Sequence, residues 1–185
     1  MGWAQTLKYL GEESRSLSDF ICAAVVYSIP CNLPSSAATL RLKGNRFYRN
    51  KFLSKLKMKF HAKGQQFPGL LDLELLDKVK DFDVFDDHFT APLHGFKDGN
   101  DFYSSVSPDN WMEDIGVPTL VVNALNDPLL GEVCFPRKLA HSHSRIFLET
   151  PSRGGHTGFS LKDEEIAWVE RRMLELFNPK LDPTI

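Results

Sequence analysis

Three short runs of apolar and β-branched residues constrain this chain most: Ile21 to Tyr27 (ICAAVVY), Pro118 to Ala124 (PTLVVNA) and Arg145 to Glu149 (RIFLE). Runs this short and this continuously apolar fit strands buried on both faces of a parallel sheet. Helical or loop sequence separates each run from the next, as parallel order requires. The predicted fold class is therefore α/β. Only the first gap is abnormal. About ninety residues part the first run from the second, where a crossover needs roughly a dozen or more. Something is inserted there, its pattern is helical, and it reads as a lid.

The flanking helices are legible from apolar spacing. Trp3, Leu7 and Leu10 fall on one face of an opening helix, and Gly11 reads as its C-terminal stop. A last helix is expected from about Ser160, where Ser160 and Asp163 resemble a capping box, with Ile166, Val169, Met173 and Phe177 on one face. The insert has two chemically opposite halves. Arg41 to Lys63 carries nine Lys or Arg and no acid, and Tyr48, Phe52, Leu56 and Phe60 recur every four residues, the pattern of a basic amphipathic helix. Asp72 to Asp87 carries seven acids and two lysines. Two readings stand: solvated faces of neighbouring helices that attract each other, or a helix facing a lipid surface.

Composition narrows the function classes. A formal net charge of -2 over 185 residues gives no reason to expect a nucleic-acid partner. Three cysteines without a C-x-x-C pair suggest neither a disulfide framework nor a thiolate zinc site, and fit a reducing, cytoplasmic setting. No apolar run reaches the length of a membrane span, and the opening MGWAQTLKYLGEES lacks the marks of a secretory signal. No Gly-rich phosphate cradle is present.

Chemistry concentrates late in the chain. The second strand runs into Asn126-Asp127-Pro128, and the third into TPSRGGHTGF, residues 150–159. Adjacent parallel strands end at one edge, where ligands bind. An acid after one strand and a histidine after the next suit Asp127 to orient the imidazole of His156 as a general base. Gly154 and Gly155 permit the tight turn that aims His156 over that edge, and Pro128 holds the acid in an extended turn. His141 and His143 form an H-x-H without an obvious third ligand, so a solvated turn is favoured over a metal. His88 and His94 in FDDHFTAPLHGF read as packing residues of the insert. No metal or cofactor is called for.

LKYLGEE near the start, FDDHFTAPLHGFKDGNDFY in the insert, and VNALNDPLL with GGHTGF together resemble the α/β-hydrolase superfamily, in its YheT-like branch of esterases and acylglycerol lipases. The resemblance runs from Met1 to about Phe177. It implies the carboxyl-terminal portion of an α/β-hydrolase parallel sheet with an inserted helical lid. It assigns Asp127 and His156 to the triad's acid and histidine, and a small-molecule ester or lipid as substrate, with no cofactor. By the same resemblance residues 1–32 hold the helix after the nucleophile elbow and a core strand. Residues 33–112 form the lid, 113–178 carry the acid and histidine loops and the final helix, and 179–185 are a tail.

The elbow itself, a G-x-S-x-G turn, is where the chain departs from the family. Gly2 resembles its final glycine, Met1 the residue after the serine, and the serine would immediately precede Met1. Ser14, Ser16 and Ser18 lie after the helix, and Ser28 ends the first strand without an elbow pattern. The expectation is a truncated, inactive form of a serine hydrolase. The alternative is a non-catalytic binding or interaction module derived from one, whose exposed sheet edge could pair with another chain; contact with a lipid surface through the lid is a further option.

Overall fold

A computed structural model describes residues 2–14 and 16–177, with side chains from residue 4 onward. In chain order the elements are α1 (Gly2–Glu12), β1 (Ala24–Tyr27), α2 (Leu33–Arg41), α3 (Arg46–Gln66), α4 (Leu73–Lys78), α5 (Phe82–Phe85) and α6 (Ala91–Leu93). They continue as α7 (Gly99–Val106), β2 (Thr119–Val122), α8 (Arg137–Ser142), β3 (Ile146–Glu149) and α9 (Trp168–Phe177). The chain divides into two compact units, one of residues 37–106 and one of the described residues on either side.

The flanking unit is built on a three-stranded parallel sheet in the order β1-β2-β3. Register pairs Tyr27 with Val122 and Val122 with Glu149, so all three strands end at one level. The α/β reading holds, with each strand beginning later than its apolar run and β2 also ending earlier, while β1 and β3 end where the runs do. β2 is central and buried at every position, which is why its sequence is apolar without alternation.

Helices cover both faces. Leu7 and Leu10 of α1 pack with Val26, Val121 and Ile146 on one side. Val169 of α9 packs with Val25, Leu120 and Val122 on the other. Gly11 lies inside α1 and does not end it. A Cβ there would sit 2.1 Å from the Trp111 carbonyl oxygen, so this glycine exists for a close helix-to-backbone approach. The Trp3 side chain lies outside the described ones.

The last helix also departs from expectation. It begins at Trp168, about eight residues later than Ser160. Asp163 has φ +60°, which no helix accommodates, and the Ser160 hydroxyl donates to the Gly158 carbonyl instead of capping. The working cap is Glu170, whose carboxylate accepts from the Ala167 N–H at 2.8 Å. Val169 is buried and Met173 packs beside it, whereas Ile166 and Phe177 are exposed.

In the 37–106 unit, α3 turns Leu53, Leu56 and Phe60 inward onto Leu76, Val79, Phe85 and Phe89. Three aromatic rings meet there, Phe60 standing edge-on to Phe85 at 4.9 Å between centroids. The expected stripe of every fourth residue drifts, because a helix turns once in 3.6 residues; Leu53, not Phe52, is the buried member. The two charged halves do meet. Arg41 clasps Asp83 through Nε (2.9 Å) and Nη2 (2.5 Å), and His61 Nε2 lies 2.8 Å from Asp77.

Candidate active site

The acid loop leaves β2 through Asn123 and Ala124. Asp127 turns back so that its N–H donates to the Ala124 carbonyl at 3.1 Å. Its side chain is fully enclosed. A buried carboxylate must be hydrogen-bonded to persist as an anion, and both oxygens are used. Oδ1 accepts the Leu129 N–H at 2.9 Å. Oδ2 lies 2.9 Å from His156 Nδ1. A carboxylate only accepts, so Nδ1 is the protonated nitrogen and Nε2 keeps its lone pair. The imidazole is 37% exposed, and no described residue bonds its Nε2. The pair thus leaves Nε2 of a partly exposed imidazole without a partner among the described residues.

The histidine loop explains both glycines by different causes. At Gly154 a Cβ would meet the Phe159 ring at 2.6 Å and the Ala124 Cβ at 2.9 Å. Gly155 has φ +59° with open space around it, so its requirement is conformational. Its N–H donates to Asn126 Oδ1 at 2.9 Å. The loop carrying the base is therefore tied directly to the loop carrying the acid. Asn126 was read only as part of a turn. Its place beside Asp127 was the available signal, but nothing in spacing says which loop its amide will reach.

Of the other singled-out histidines, His143 and His94 have partners, whereas His141 and His88 are exposed, so His88 is not the packing residue expected. His143 sits at the end of α8 with Nε2 3.1 Å from the Glu113 carbonyl, while its Nδ1 accepts the Arg145 N–H. His94 stacks on Phe102. Among the described residues no group of three or more His, Cys, Asp or Glu is arranged to hold a metal. FDDHFTAPLHGFKDGNDFY is held by its own acids: Asp86 accepts from Thr90 at 2.6 Å and from the Tyr103 hydroxyl, and Asp87 accepts the Gly99 N–H at 2.8 Å. Burial pushes the thiols of Cys31 and Cys134 up, which makes them packing groups and not nucleophiles.

No described serine is hydrogen-bonded to His156. The Ser16 hydroxyl donates to Glu13, and Ser18 accepts the Phe20 N–H. Ser28 is buried and has φ +52°, a backbone state the sequence did not announce.

Comparison with known proteins bears on this arrangement. The chain is 31% identical to the putative esterase YheT of Escherichia coli over 156 residues, 82% of this chain and 45% of that protein. It is 27% identical to phospholipase ABHD3 of Mus musculus over 160 residues, 86% of this chain and 38% of that protein. With human monoacylglycerol lipase ABHD2 it shares 26% identity over 188 residues, 92% of this chain and 44% of that protein. The chain thus spans less than half the length of the curated relatives it matches. No family model and no solved structure matches it.

Proposed function

We propose that this chain, which belongs to the YheT-like branch of the α/β-hydrolases, supplies the acid and the base of a serine-type carboxylic-ester hydrolase. The observation that carries this reading is the bond of 2.9 Å between enclosed Asp127 and half-open His156. A serine from outside these 185 residues completes the triad. Its oxygen bonds to the acyl carbon while its proton passes to His156 Nε2. Asp127 stabilises the imidazolium so formed. Cleavage of the ester C–O bond then returns the proton to the departing alcohol, and water repeats the sequence on the acyl-enzyme. Acyl transfer of this kind needs no metal or organic cofactor. The names of the relatives favour acylglycerols or phospholipids as the substrate class, and the unpaired thiols favour a cytoplasmic setting.

The test has two arms. The 185-residue chain alone should neither label with a fluorophosphonate nor turn over a short-chain ester. A longer polypeptide that adds the serine-bearing segment should do both, and His156→Ala should abolish both. Labelling of the chain alone would refute the outside serine.

A second reading rests on a separate observation. Phe47 and Met58 of α3 are 68% and 69% exposed, and with Lys51 and Lys55 they share one side of the helix. Apolar side chains bracketed by lysines suit an anionic lipid surface. On this reading the chain is a binding module, and its association with phosphatidylserine vesicles falls steeply with salt. Salt-independent association, or none, would remove it.

A further inference from the structure

Ser28 carries two unfavourable features at once. It follows β1 directly, and its N–H still donates to the Val122 carbonyl at 2.9 Å. Its φ of +52° is a state that glycine adopts freely and serine resists. Its hydroxyl is enclosed and has no hydrogen-bond partner among the described residues, although a hydroxyl taken out of water without a partner is costly. Glycine at this position would remove both penalties.

The strain is held in place by design of the neighbouring chain. Asn123 is completely buried. Its Oδ1 accepts the Ile29 N–H at 2.8 Å, and its Nδ2 donates to the Ile29 carbonyl at 2.9 Å and the Cys134 carbonyl at 2.8 Å. A fully satisfied buried amide thus clamps the residue after Ser28 and fixes the bend. Strain sustained in this way gathers where a side chain must be aimed.

The bend adjoins the candidate active site. Tyr27 meets the ring of Phe159 edge-on at 5.9 Å, and Phe159 packs against Gly154 in the loop that carries His156. Asn123 begins the segment that carries Asp127. Ser28 therefore stands on the same rim of the sheet as the acid and the base, one strand from the first and two from the second.

We propose that Ser28 is a ligand-positioning residue beside the candidate active site, its hydroxyl donating a hydrogen bond to an oxygen of the bound carboxylic ester or acid. The donor sense follows from the ligand, because an ester offers only acceptors. This inference rests on the ester-hydrolase reading, and it concerns binding, not nucleophilic attack.

Calorimetric titration of the 185-residue chain with hexanoate, alongside thermal melts, tests it. Ser28→Ala should bind hexanoate roughly tenfold or more weakly while melting no lower than wild type, because it removes an unpartnered hydroxyl. Ser28→Gly should also lose affinity and should melt higher still, having shed the backbone strain. Affinity and stability moving in opposite directions is what a merely structural serine would not produce. Equal affinity in wild type and Ser28→Ala would overturn the proposal, as would absence of hexanoate binding by wild type. Failure of the hydrolase reading would show separately, as an unlabelled longer polypeptide with hexanoate binding intact.

Discussion

The carboxylate at position 127 does two things at once, holding the Leu129 N–H with one oxygen and the His156 imidazole with the other. Asp127→Asn keeps the shape and loses the acceptor pair. If the amide NH2 faces Nδ1, the imidazole must carry its proton on Nε2, where a base is needed; if it faces the Leu129 N–H, two donors oppose each other. Turnover by the completed enzyme should fall by roughly 10³–10⁴-fold with the fold retained, as steady-state kinetics and circular dichroism would register together. Gly154→Ala acts through space instead. A Cβ within 3 Å of Phe159 and Ala124 should cost about 1–3 kcal/mol in urea unfolding and should displace the base. The meeting of Asp127 with His156 and the need for both glycines were legible because adjacent parallel strands end at one edge and the return turn is tight. Asn126, Asn123 and the bend at Ser28 were not. An asparagine amide can bond any nearby backbone group, and a positive φ at serine leaves no mark in the residue name.

Among the elements, the stretch from α5 to α7 has the clearest internal logic. Asp86 is buried, and burial outweighs the bonds from Thr90 and Tyr103, raising its carboxyl above the ordinary range. The sign of the linkage follows. Between the ordinary carboxylate value and the raised one, the folded state binds more protons than the unfolded state, so stability falls as pH rises through that interval and is level above it. Asp86→Asn should flatten that fall, measured as urea midpoints from pH 4 to 7. Asp86→Ala should cost about 1–3 kcal/mol, since it strands the Tyr103 hydroxyl. The sequence marked this motif as distinctive without disclosing that its acids serve one another. Helix limits were legible only where sidedness and chain stops agreed. At α9 the apolar spacing extended upstream into residues that Asp163 bends away, and at α3 a four-residue repeat mimicked a face that the true 3.6-residue turn carries past Phe52 to Leu53.

At the scale of the whole molecule, α1 and α9 hold the sheet between them. Leu7, with no exposed surface, ties α1 to β1 and β2, and Leu7→Ala should cost about 2–5 kcal/mol in thermal or urea unfolding. β1 forms one edge of the described sheet, and its composition suits an interior position. The 185-residue chain expressed alone should therefore self-associate, eluting larger than a monomer in size-exclusion chromatography. The α/β class was readable because strands covered on both sides must be apolar throughout. The division of the chain was readable only as an oversized gap, since length betrays an insertion without drawing its borders. Because the Gly155 amide is fastened to Asn126, Asp127 and His156 are brought together by the loops after two neighbouring strands, and their alignment does not wait for the proposed serine. Mixing this chain with a separately made serine-bearing piece should then restore turnover with the kinetics of simple docking: a rate that climbs with the concentration of either partner and levels off, without the lag that rebuilding a catalytic centre would impose.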